Sequence, residues 1–147
     1  MAKNRVFLDS STLIAAILSQ SGGSFYILNR FRNDFEFQIN NYIFDELMAI
    51  ADKKFSIDKD FKNKLFLLIG MVPIKILNDS SKSKTDIAAK FINKNDAPIL
   101  ASALIHSNYL LTLDNDFLKE SAIEFAQKKN LIILKPKDFI EKFRNKI

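Results

Sequence analysis

Cysteine is absent from the chain and histidine occurs once, as His106. No disulfide and no thiolate metal site can therefore form, and no cluster of histidines can hold a metal. Nucleophile–histidine machineries would all have to use His106, which sits in a helical stretch beside Ile105 with nothing near it in sequence to suggest such a role. Glycine is scarce too. Three glycines cannot build a Gly-rich phosphate loop or a dinucleotide fingerprint. No apolar run is long enough for a bilayer, because Pro73 and Lys75 interrupt the greasiest stretch, residues 65–77. The N-terminal residues lead straight into a strand-like segment, not into a cleavable apolar run. The expectation is a cytoplasmic protein with no membrane partner.

What is present is an ordinary globular composition. Of 147 residues, 48% are hydrophobic and 27% charged, which suits one folded domain spanning residues 1–147. The net charge of +5 leans toward a polyanionic partner. Basic residues gather near the C-terminus, where Lys135, Lys137, Lys142, Arg144 and Lys146 outnumber Asp138 and Glu141. They mark either a phosphate-contacting rim or a solvated helix face.

Apolar runs and turn signals alternate along the chain. Strands are expected over residues 5–8, 35–39, 73–77, 109–113 and 131–134, the third weakly. Helices are expected over about 10–18, 25–31, 42–54, 58–71, 86–93, 97–105 and 121–129, with a last one after Pro136. Asn40-Asn41 reads as a turn and residues 78–85 as a surface loop. Strands that alternate with helices and have continuous apolar cores define an α/β fold around a mostly parallel sheet.

With other machineries excluded, carboxylates carry the chemistry. Asp9 follows the first strand and Asp114 follows the strand 109–113. In parallel sheets ligands bind at the carboxyl ends of strands, so these two acids project into one crevice. Asp96 opens the helix just before the second of those strands and can reach the same edge. Each of the three is also well placed to cap a helix, which explains them singly but not their convergence. Glu46 borders the buried stripe Ile43, Leu47, Ile50 and Ala51, whereas Asp45 points away from it into solvent. Asp116 is either a helix-start residue or a further ligand. Carboxylates gathered like this repel one another unless a cation joins them. A hard ion such as Mg2+ or Mn2+ takes oxygen ligands and suits phosphodiester hydrolysis.

In order along the chain, the segments Val6-Phe7-Leu8-Asp9-Ser10-Ser11, Phe44-Asp45-Glu46-Leu47, Asp96-Ala97-Pro98-Ile99 and Thr112-Leu113-Asp114-Asn115-Asp116 resemble the acidic motifs of the PIN-domain family. That family includes the VapC-type toxins of toxin–antitoxin pairs. The resemblance implies a three-layer α/β/α sandwich and a metal-dependent endoribonuclease. Asp9, Glu46, Asp96 and Asp114 would be catalytic, and Asp9, Asp96 and Asp114 would bind Mg2+ or Mn2+, with Asp116 auxiliary. Ser11 and Thr112 would support them by hydrogen bonding. The resemblance also implies RNA as substrate, a homodimer and an antitoxin protein as partner. A PIN fold acting in RNA processing, or serving only as a binding module, is the neighbouring alternative. A haloacid dehalogenase-like phosphatase also ends its first strand in Asp, but it wants an acid where this chain has Ser11. A receiver domain would need a lysine after a later strand, for which Lys135 is the one loose candidate.

Overall fold

A computed structural model describes residues 2–53 and 60–145. Five parallel strands form one sheet in the order β3-β2-β1-β4-β5, where β1 is Asn4–Leu8, β2 Phe35–Asn40, β3 Lys75–Leu77, β4 Tyr109–Leu111 and β5 Ile132–Leu134. The chain winds outward from β1 through β2 to β3, then returns to place β4 on the other side of β1. The switch point of this doubly wound sheet therefore lies between β1 and β4. Register there pairs Val6 with Tyr109, Phe7 with Leu110 and Leu8 with Leu111.

Among the described residues eight helices flank the sheet: α1 Ser10–Leu18, α2 Gly23–Arg30, α3 Asn41–Lys53, α4 Phe61–Met71, α5 Lys82–Ala88, α6 Ala97–His106, α7 Glu120–Lys128 and α8 Pro136–Phe143. The three-layer α/β/α sandwich follows from the strands themselves. Val6, Phe7 and Leu8 are all buried, so both faces of β1 are covered, and only a sheet between two helical layers covers both. Edge strand β3 is largely exposed, as its mixed Lys-Ile-Leu sequence allows. An aromatic cluster of Phe31, Phe35, Phe139, Phe143 and Tyr109, with ring centroids 4.7–6.4 Å apart, fixes α8 against β2 and β4. Among the described residues no single helix is long and apolar enough to cross a membrane.

Four boundaries differ from the sequence expectation, each for a local reason. Asn40 and Asn41 form no turn: β2 runs directly into α3, because the Asn40 side chain accepts from Ile43 N at 3.0 Å and starts the helix. The expected loop 78–85 is half helix. Ser81 Oγ accepts from Lys84 N, which starts α5 at Lys82. That helix ends at Ala88 rather than Asn93, and the chain turns so that the Asn93 amide reaches Asp116. Strand β4 stops at Leu111, since the Thr112 hydroxyl accepts from Asp114 N. The part of the expected fourth helix at residues 58–59 lies outside the described residues.

Candidate active site

Asp9 leaves β1 at the switch point and enters the N-cap of α1, where its Oδ1 accepts from Ser10 N at 2.8 Å. Its other oxygen, Oδ2, accepts from Ser11 Oγ at 3.0 Å and Thr112 Oγ1 at 2.8 Å. Both hydroxyls have a second task. Ser11 Oγ accepts from Leu113 N at 3.1 Å, and Thr112 Oγ1 accepts from Asp114 N at 2.9 Å. A hydroxyl that donates one way and accepts the other is what this position requires, and only Ser, Thr or Tyr supplies one. Through these two bridges the buried Asp9 fixes the segment carrying Asp114. Ser11 and Thr112 thus both hydrogen-bond the Asp9 carboxylate.

Asp9 is 3% exposed, and burial raises its pKa, against the hydrogen bonds from Thr112, Ser11 and Ser10 that lower it and with the charge of Asp114 adding to the rise. Asp96 feels the same surroundings. Burial, then the negative charges of Asp114 and Asp9, push its carboxyl up to about 6, and a hydrogen bond with the Asp114 carboxyl contributes. The three aspartates therefore share one electrostatic site.

Capping accounts for one oxygen of Asp9 but not for Asp96 or Asp114. Asp96 precedes α6 in a helical conformation and its side chain makes no cap bond. The carboxylate is held instead by Asn93, whose Nδ2 donates to Asp96 Oδ2 at 2.6 Å, while Asp96 N donates back to Asn93 Oδ1 at 3.0 Å. Asp114 is followed by a turn, not a helix, and its Oδ1 accepts from Asp116 N at 2.9 Å.

Glu46 enters from α3. It is half-buried, and its Oε1 is fully buried without a hydrogen-bond partner. One turn earlier Tyr42 presents the same helix face. Its hydroxyl donates to Asn95 O at 2.7 Å, which ties α3 to the loop bearing Asp96. Burial first, then the charges of Glu46, Asp96 and Asp79, raise the Tyr42 pKa, so Tyr42 lies near all three acids. Asp45 is exposed as expected, yet it does not point clear of the site: it rims one shallow recess with Tyr42, Glu46 and Asp79.

Asp116 stands apart from the other acids. Lys119 Nζ lies 2.5 Å from its Oδ1, and that contact chiefly lowers its pKa, while Asn93 also donates to its Oδ2. Its charge is compensated within the protein. Asn93, Tyr42, Asn40 and Asp79 escaped the sequence reading. Asn40 is fully buried, its Nδ2 donating to Ser102 Oγ at 2.8 Å and to Pro98 O at 3.3 Å, so it clamps α6 to β2. Tyr42 alone carried a legible signal, four residues before Glu46 on a helix.

The donor set is carboxylate oxygen, which matches hard divalent cations. Two features fit such an ion: the burial and neighbouring carboxylate charges that push the Asp96 carboxyl up to about 6, and the unpartnered Glu46 oxygen. No group of three acids among the described residues is placed to enclose an ion. Mg2+ commonly takes only one or two protein carboxylates and keeps several waters.

A carboxyl whose pKa rises on folding binds its proton more tightly in the folded state. Asp96 therefore removes stability as pH climbs from its ordinary 3.8 to about 6. In EDTA, Asp96→Asn is expected to raise the melting temperature at pH 7 and to flatten its fall between pH 4 and pH 7. An unchanged fall in the Asn variant would contradict the shared site.

A doubly wound parallel sheet with three interacting carboxylates at its switch point places this chain among α/β domains with an acidic site at the strand ends. Comparison with known families gives the class its name. The PIN domain profile matches residues 6–122, and the chain belongs to the PIN-domain family, a family of nucleases. This sets aside the phosphatase and receiver readings. Three solved structures show the same fold. VapBC2 from Rickettsia felis, bound to a DNA fragment from its promoter, is 18% identical, covering 89% of this chain and 98% of that one, with a TM-score of 0.66. PAE2754 from Pyrobaculum aerophilum is 14% identical over 99% and 100% of the two chains, with a TM-score of 0.67. FitAcB from Neisseria gonorrhoeae is 19% identical over 90% and 98%, with a TM-score of 0.56. Comparison with curated protein sequences returns no match.

Proposed function

We propose that this protein is a metal-dependent endoribonuclease and the toxin of a toxin–antitoxin pair. The observation that carries the reading is the gathering of Asp9, Asp96 and Asp114 at the switch point, where Thr112 joins the Asp9 carboxylate to the Asp114 amide and where burial and neighbouring charge push the Asp96 carboxyl up to about 6. Asp9, Asp96 and Asp114 would hold Mg2+ or Mn2+, and Glu46 would meet it or its water with the free Oε1. The cation would offset the carboxylate charge, admit the phosphate and polarise the attacking water. The protein's part is positioning. Ser11 and Thr112 keep Asp9 in one orientation and lock the Asp114 segment to it. Asn93 orients Asp96, and Asp116 with Lys119 orients Asn93. Asp116 thus acts on the site through Asn93, beside any direct role as an auxiliary ligand. Glu46, with its unpartnered Oε1, would accept the proton from water as the water oxygen bonds to phosphorus and the bond from phosphorus to the ribose oxygen breaks, that oxygen taking a proton from solvent as it leaves.

Support for the toxin role comes from the family and from likeness to VapBC2 and FitAcB. On that reading the partners are an antitoxin protein and a second copy of this chain, and the setting is the cytoplasm. The test is a mixed RNA pool incubated with the purified protein and Mg2+ or Mn2+, repeated in EDTA. Cleavage with metal alone is expected. Cleavage that persists in EDTA, or its absence with either ion, would refute the proposal.

A further inference from the structure

Strands β4 and β5 are neighbours, so the segments that leave them, with Asp114 on one and Lys135 on the other, lie side by side. From this edge a groove runs between the start of α2 and α8. Leu113, 47% exposed, walls its acid end, and Lys135, Lys137 and Arg144 line it further on, against a single acid, Glu141. Gly22, Gly23, Ile140 and Arg144 also line a second hollow that ends on Tyr26, so the two form one continuous track.

The track sharpens what the basic C-terminus can do. Of the five cations expected as a rim, Lys142 is turned away, its amine 5.9 Å from the Tyr109 and Phe143 rings, and Lys146 lies outside the described residues. Among the described residues neither Lys135, Lys137 nor Arg144 is paired with an acid. Three uncompensated cations follow Leu113, and a 42% exposed tyrosine closes the line.

We propose that this track binds a single RNA strand on one side of the cut, with Lys135, Lys137 and Arg144 on phosphates and Tyr26 stacked on an unpaired base. The inference rests on the nuclease reading and deepens it. Cations at intervals with an exposed ring is the recipe for single strands, since every unpaired base offers a face for stacking. A duplex keeps its bases stacked within itself and gives Tyr26 nothing to meet.

The experiment uses the whole protein in EDTA with fluorescent RNA 12-mers, single-stranded and duplex, over a range of salt. Replacing Lys135, Lys137 and Arg144 together by Gln is expected to flatten the slope of log affinity against log salt by about 2, at roughly 0.7 for each phosphate no longer neutralised. Tyr26→Ala should weaken the single strand by about tenfold and leave the duplex unchanged. An unaltered slope in the triple variant overturns the track. So does equal loss for duplex, or a poly-glutamate peptide that competes as well as RNA does. The two readings fail separately. Wild-type protein that binds through these residues but never cuts with Mg2+ sinks the nuclease reading and upholds the track. Protein that cuts, with KM for long RNA unchanged in the triple variant, does the reverse.

Discussion

Asp114→Asn is expected to abolish metal-supported RNA cleavage while leaving the fold intact. Asn keeps the Oδ1 that accepts from Asp116 N, so the turn after β4 survives. What it loses is the negative charge that a divalent ion needs. Even outer residues around a metal typically cost 10- to 100-fold when removed, so a direct ligand should cost more than about 100-fold. Removing the charge also relieves Asp96 and Asp9, both of which Asp114 pushes upward. The metal-free variant should therefore melt at the same temperature as wild type or higher. Asp86→Asn, on the exposed face of α5, is the matched control and should change neither property. Parallel cleavage assays and melts decide it. An Asp114→Asn protein that still cuts at a tenth of the wild-type rate would place the chemistry elsewhere.

Thr112→Val is expected to cost both stability and rate. Thr112 is fully buried and serves two carboxylate segments at once, donating to Asp9 and accepting from Asp114 N. Valine has nearly the same shape but neither function. It leaves Asp9 buried with one donor fewer and strands the Asp114 amide, for about 1–3 kcal/mol. Thr112 is the largest of the hydrogen bonds holding the Asp9 pKa down, so that pKa should climb further in the variant. Activity should fall 10- to 100-fold, in keeping with a residue that orients a ligand. Thr112→Ser restores the hydroxyl and should recover most of both losses. If valine melts and cuts like wild type, the bridge between Asp9 and Asp114 has no mechanical role.

Much of the architecture was legible because it is local. The apolar runs at residues 5–8 and 109–113 mark buried parallel strands wherever they occur, and an acid just past such a run sits at a strand's carboxyl end. Glu46 was legible for the same reason, since helix geometry alone puts it at the margin of the Ile43–Leu47 stripe. The strand order was not. Whether β4 lies beside β1 depends on packing between residues about a hundred positions apart, and the switch point follows from that order alone. Capping was the natural reading of Asp96, and only the turn after Ala88, which brings Asn93 across, removes it. Asp116 shows the converse. Its motif position marks it as a ligand, yet Lys119, three residues on, compensates its charge through an ion pair that spacing did not reveal. Asn40 reads in the sequence only as part of a turn; that it starts α3 rests on its bond from Ile43 N, and that it clamps α6 depends on partners far along the chain.

We propose that Asp9, Asp96, Asp114 and Glu46 form one metal-binding site at the switch point between β1 and β4. Crystals grown with Mn2+ and measured for anomalous scattering test it without recourse to activity. An anomalous peak is expected within about 2.3 Å of carboxylate oxygens from at least two of Asp9, Asp96 and Asp114, with water completing its shell. An ion bound only at the exposed recess of Asp45 and Asp79, or no peak between these strands at saturating Mn2+, would contradict it.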